Sequence, residues 1–115
     1  MVACVLSACR PHHAHDGPID AKALFHQTCA QCHGDDGHGQ TEVGRSVGAK
    51  DLTRDEARRL TDPDVAHQIK IGRGKMPAFG MLLDDAEIAA LTAHLRALQS
   101  QSPSHLRSTS ASAPR

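Results

Sequence analysis

The sequence predicts an all-α fold: three to four helices and their loops wrapped around a central body that is not polypeptide. Two observations predict the helices. Ile88, Leu91, Leu95 and Leu98 recur at helical spacing, the stripe of a helix with one buried face. No stretch alternates apolar and polar residues as a half-buried strand does. A third observation predicts the central body. Aromatic content is 2%, with two Phe and neither Trp nor Tyr, although aromatic rings usually supply much of a small core.

The chain divides into an N-terminal segment, 1–18, a candidate domain, 19–99, and a Ser- and Pro-rich tail, 100–115. A domain of about 80 residues is marginal without a staple. In the first segment, Val2 to Ala8 is apolar but shorter than a complete secretory signal, and no basic residue precedes it. Leu6-Ser7-Ala8-Cys9 matches a bacterial lipobox, in which Cys9 carries lipid and tethers the protein to a membrane; a chance apolar start is the alternative. Arg10 to Pro18 reads as a linker. His12, His13 and His15 within it could take a metal, against the simpler reading of a polar tether.

The first helix starts at Asp20, a good N-cap, with Ile19 and Leu24 at staple positions. Ala21, Leu24, Phe25 and Thr28 share a face, and the helix runs into Cys29. Gly34 to Gly48 is glycine-rich and reads as loop. Thr53 and Glu56 form a capping-box pair ahead of a short helix. Another helix starts at Thr61-Asp62-Pro63, with Pro at its first position and Val65, Ala66 and Ile69 on one side. Gly72 to Leu83 is loop. Asp84, with Glu87 three residues on, caps the last helix. From Gln99 onward the composition has too little apolar content to pack and predicts disorder.

Formal net charge is zero, with 13 basic and 13 acidic residues. No nucleic-acid binder is implied, since that needs a basic excess. No apolar run reaches the ~18 residues of a membrane-spanning helix. No nucleophile–base or carboxylate pair stands out, so the sequence reads as a carrier and not an enzyme, with no catalytic residues.

Cys29-Ala30-Gln31-Cys32-His33 is the motif that carries chemistry. Cys-x-x-Cys-His is the haem-attachment signature. Two thiols on one turn reach the two vinyl groups of one porphyrin, and the adjacent imidazole lies under the iron. Competing readings are weaker. A thioredoxin-like pair belongs in a βαβ pattern, which is absent. A zinc site needs four ligands, and Cys29, Cys32 and His33 supply three. The second axial ligand is read as Met76, in Gly72-Arg73-Gly74-Lys75-Met76-Pro77, because haem iron with His on one face often takes Met on the other. Met81, beside Leu82 and Leu83, reads as core filler. Cofactor-binding residues are thus Cys29, Cys32, His33 and Met76, with His33 and Met76 on the metal.

These segments, in this order, resemble a class I c-type cytochrome in its short bacterial mono-haem form. The resemblance runs from about Asp20 to Leu98. It rests on Leu24-Phe25 before Cys29-Ala-Gln-Cys-His33-Gly34, then Asp51-Leu52-Thr53, then Gly72-Arg-Gly-Lys-Met76-Pro-Ala-Phe79, then Ile88-Ala-Ala-Leu91 and Leu95-Arg96-Ala97-Leu98. It implies the cytochrome c fold, one covalently attached haem c with its iron, and single-electron transfer between periplasmic or membrane redox partners. A haem-based ligand-binding or sensor domain with a displaceable Met is the alternative function. The implied setting is the bacterial periplasm, with a tether through Cys9 if the lipobox is genuine. The protein would be a monomer or a subunit of a larger oxidoreductase, and Lys70, Arg73 and Lys75 are a candidate docking patch for its donor or acceptor. The sequence departs from the family in two internal places. Ala21 and His94 stand where the family commonly crosses a Gly with an aromatic ring. No Pro lies between His33 and Asp62 to offer the carbonyl that often accepts the proximal-His hydrogen bond, so a carbonyl within Gly44 to Lys50 is expected to replace it.

Overall fold

The computed structural model describes residues 17–102. The expectations for Cys9, for His12, His13 and His15, and for most of the tail lie outside those residues. Six helices follow in order: α1 Ala21–Thr28, α2 Ala30–His33, α3 Glu42–Val47, α4 Asp55–Arg58, α5 Asp62–Ile71 and α6 Asp85–Gln101. Only α1, α5 and α6 reach eight residues. Among the described residues the sole β-type pairing is an isolated bridge between Arg73 and Met76.

The caps explain where the long helices start. The Asp20 side chain accepts from the Ala23 amide. Thr61 and Asp64 form a reciprocal capping box at α5, with Asp62 first and Pro63 second, one place later than expected. Asp84 and Glu87 do the same at α6. Each such cap is worth about 1 kcal/mol.

The expected capping box of Thr53 and Glu56 does not form. Arg54 is the N-cap of α4 and offers no side-chain cap. Thr53 is buried instead, and its hydroxyl donates to the Asp51 carboxylate at 2.6 Å. Nor is Gly34 to Gly48 all loop, since α3 lies within it. Thr41 caps α3 by accepting from the Gly44 amide at 2.8 Å, and Gly48 ends it in the left-handed region. Glycine density concealed this helix because Gly44 is demanded by a close approach and not by a turn.

Phe25, Ala30, Val65, Ile69, Ile88, Leu91 and Leu95 form the core. α6 packs against both α1 and α5, so its apolar stripe is the floor of the domain. Burying each of its large aliphatic side chains contributes roughly 1.5–3 kcal/mol. At the α1–α6 crossing the His94 ring meets Phe25, with centroids 5.0 Å apart and planes tilted by 51°. Phe25 lies one turn beyond Ala21 on the same face of α1. His94 is therefore a packing residue, as its position implied.

α6 runs to Gln101, with Gln99 and Ser102 buried. Polar anchoring, not apolar content, carries this last turn: the Gln99 amide donates to the Leu52 carbonyl at 2.8 Å.

Candidate haem-binding site

Cys29 is the joint between α1 and α2. Its amide closes α1 on the Phe25 carbonyl at 2.8 Å, and its carbonyl accepts from His33 at 2.9 Å. One helical turn therefore carries Cys29, Cys32 and His33, and the i, i+3, i+4 spacing sets them on one face. Both thiols are free and half-buried. Burial pushes the Cys29 thiol above its ordinary pKa; the nearby Cys32 adds to this, and the Thr28 hydroxyl, 3.3 Å from the sulfur, works against it.

The turn is held from behind by α3. The Thr41 hydroxyl lies 2.6 Å from the Gln31 carbonyl and 3.2 Å from that of Cys32. Gly44 approaches so closely that a Cβ there would stand 2.1 Å from the Cys32 carbonyl oxygen. The Gly39 amide takes the His33 carbonyl at 2.7 Å.

His33 Nδ1 lies 2.9 Å from the Lys50 carbonyl oxygen. A carbonyl only accepts, so Nδ1 is the donor here, and in the neutral ring Nε2 presents a lone pair. Nε2 has no hydrogen-bond partner among the described residues. Lys50 falls inside the Gly44 to Lys50 stretch from which the substitute carbonyl was expected.

Met76 sits in a loop whose geometry is closed on itself. The Arg73 amide donates to the Met76 carbonyl at 3.1 Å and the Met76 amide returns to Arg73 at 2.9 Å. Gly72 enters this turn at φ 71°, and a Cβ there would meet the Met76 carbonyl oxygen at 2.5 Å. Phe79 and Gly80 amides donate to Ile69 and Lys70 carbonyls, tying the loop's far end to α5. Met76 is half-buried against the core.

Met81 is not core filler: it is 88% exposed, and neighbouring Leu82 and nearby Ile71 are 74% and 60% exposed. The turn in which Leu82 and Leu83 amides share the Phe79 carbonyl turns Leu83 inward and leaves Met81 and Leu82 outside. Large apolar side chains exposed on both sides of one loop are a surface that needs covering. Of the candidate docking charges, Lys70 is paired with Asp85 at 2.5 Å, while Arg73 and Lys75 are exposed without an ion pair among the described residues.

This donor set fits a covalently attached haem: two free thiols and an imidazole on one turn, and a thioether on a constrained loop. It does not fit zinc. Among the described residues, no three His, Cys, Asp or Glu side chains are grouped to hold a metal ion, and no helix is long and apolar enough to cross a membrane. The acceptor was expected within Gly44 to Lys50 but not assigned to one residue, since a backbone carbonyl carries no residue signature; the clamps by Thr41 and Gln99 were missed, since a polar residue near a helix end reads as surface.

Comparison with known proteins agrees. Residues 18–95 match the family model described as cytochrome C oxidase, cbb3-type, subunit III. The CcoP subunit of the cbb3-type cytochrome c oxidase of Azospirillum brasilense is 37% identical over 79 residues, covering 67% of this chain and 27% of that protein. The chain thus spans about a quarter of that relative's length. Among solved structures, the KustC0563 c-type cytochrome is similar with a TM-score of 0.65 and 31% identity, covering 70% of this chain and 99% of that one. The chain belongs to the cbb3-type subunit III family of c-type cytochrome domains, all-α electron-transport domains that carry covalently bound haem c with its iron.

Proposed function

We propose that this domain relays single electrons between redox partner proteins, with haem joined to Cys29 and Cys32 and its iron held by His33 and Met76. The observation that carries the reading is the 2.9 Å contact of His33 Nδ1 with the Lys50 carbonyl, an arrangement that in the neutral ring leaves the Nε2 lone pair for a metal. Cys29 and Cys32 would hold the haem by thioether bonds to its two vinyl groups, each S–H adding across one carbon–carbon double bond. Haem iron, when bound, supplies the one-electron ferric–ferrous couple.

The chain's own residues set the terms of that couple. The carbonyl behind His33 raises the basicity of the imidazole. A thioether from Met76 favours the reduced state relative to a nitrogen ligand. The paired backbone hydrogen bonds between Arg73 and Met76 hold the Met76 main chain in one turn, which supports a fixed ligand over the displaceable one that a gas sensor needs. Docking falls to Arg73 and Lys75, with Lys70 partly neutralised by Asp85.

The CcoP name of the relative supports a role as a subunit or domain of a larger oxidoreductase facing the bacterial periplasm. A lipid tether through Cys9 belongs to the same proposal. The test is Met76→His: the haem stays attached by mass and the midpoint potential falls. An unchanged potential would remove Met76 from the iron, and CO binding to the unmodified ferrous protein would favour the sensor.

A further inference from the structure

The backbone that offers its carbonyl to His33 is fastened on every side. The Leu52 amide donates to the Gly37 carbonyl at 2.7 Å. The Leu52 carbonyl accepts from the Gln99 side chain at 2.8 Å. Arg58 bridges the same two elements, giving Nε to the Thr53 carbonyl at 2.6 Å and Nη2 to the Gln99 carbonyl at 2.7 Å. Arg96 in turn holds the Gln99 side-chain oxygen at 3.0 Å. Within the loop, the Thr53 amide and hydroxyl both donate to Asp51 Oδ1, at 2.9 and 2.6 Å. His38 Nδ1 stands 3.2 Å from the Thr53 hydroxyl and 3.4 Å from Asp51 Oδ2.

Two features make this more than general anchoring. Gln99 is 5% exposed and continues the stripe of Ile88, Leu91 and Leu95, where an apolar residue would be the ordinary choice. Its amide is spent on the peptide two residues from the one that serves His33. Lys50, unlike a proline, has a freely rotating φ, so nothing in its own chemistry aims its carbonyl.

We propose that Gln99 and Asp51, with Arg58, are positioning residues for His33. Their hydrogen bonds fix residues 50–53 so that the Lys50 carbonyl is locked onto the Nδ1 proton, replacing by a side-chain clamp the rigidity a proline ring would supply. The inference rests on the reading of His33 as an iron ligand. A slack clamp lets the carbonyl drift, the imidazole becomes a weaker donor, and the oxidised iron loses stabilisation.

The experiment uses the full haem-bearing chain with Gln99→Leu, which keeps the burial and removes the amide, and with Asp51→Ala as a second route to the same loop. The readings are midpoint potential and NMR exchange of the His33 Nδ1 proton. Both variants are expected to raise the potential and to exchange that proton about fivefold faster, the factor for loss of one net hydrogen bond. Lys50→Pro added to either is expected to restore both readings, while melting temperature stays low because the cut anchor is still missing. Unchanged potential and exchange in a haem-bearing variant, or no recovery with Lys50→Pro, would overturn the clamp alone. A wild-type chain without haem would overturn the ligand reading and take the clamp with it.

Discussion

Gly44→Ala separates helix propensity from packing. Gly44 lies inside α3 with φ outside the left-handed region, so an alanine there is sterically normal for the backbone and propensity favours it by about 0.8–1 kcal/mol. The neighbours decide otherwise. The added Cβ would stand 2.1 Å from the Cys32 carbonyl oxygen and 2.8 Å from both the Gly39 carbonyl oxygen and the Thr41 hydroxyl. Two of these three atoms are backbone, one inside the Cys-x-x-Cys-His turn, and cannot rotate away. Overpacking costs typically ~1–3 kcal/mol; with rigid backbone on two sides the upper end applies, leaving a net loss of about 2 kcal/mol. For a domain of this size that is a fall of about 8–16 °C in melting temperature. Thermal melts of the haem-bearing protein measure it. Gly48→Ala is the control, since Gly48 has φ 70° and open space around it, so only the left-handed penalty of ~1–2 kcal/mol applies. A melting temperature for Gly44→Ala equal to or above the parent's would refute the close approach of α3 to the motif.

Leu91→Ala, at 2% exposure where α6 meets the core, is expected to cost about 2–5 kcal/mol by urea unfolding; a loss under half of that would mean the site is not tightly packed. His94→Ala removes the Phe25 contact and is expected to cost ~0.5–1.5 kcal/mol beyond lost area, with the haem spectrum unaltered. The Asp51 carboxyl has opposing influences: partial burial acts to raise its pKa, but hydrogen bonds from Thr53 and His38 outweigh it and hold it below 3.8. Its folded-state pKa being depressed, it contributes stability above its unfolded value that is lost as pH falls through the folded one. Acid unfolding monitored below pH ~4 should therefore be shallower for Asp51→Asn, and an unchanged profile would remove Asp51 from the linkage. Electron-transfer rates with an acidic partner protein should fall with added salt, and fall less for Arg73→Ala with Lys75→Ala; salt-independent rates would leave those charges no docking role.

The parts of this domain that were legible in the sequence are those whose physics is local. Asp20 and Asp84 announced their helices because a short acceptor ahead of free amides has one obvious use. The stripe from Ile88 to Leu95 announced a buried face. Cys29, Cys32 and His33 were legible as a set because their spacing is the reach of one helical turn. Sequence reasoning stopped where residues act across the chain. Thr53 reads as a cap until Asp51 is seen to capture its hydroxyl. Gly44 reads as loop until the Cys32 carbonyl is found behind it. Gln99 reads as the start of a tail until it reaches Leu52, 47 residues away. Met81 shows the converse: its neighbours make it look like core, yet the turn after Phe79 leaves it outside.

The central claim is that one haem is joined to the turn of Cys29 and Cys32. Its most direct test is an intact-mass measurement, with a reduced-minus-oxidised visible spectrum, on chain produced alongside haem-maturation machinery. The account predicts a mass greater than the polypeptide by one haem, retained under denaturing conditions, and a low-spin c-type spectrum; Cys29→Ala with Cys32→Ala should abolish the added mass. A colourless product at the bare polypeptide mass, or added mass that survives loss of both cysteines, would contradict it.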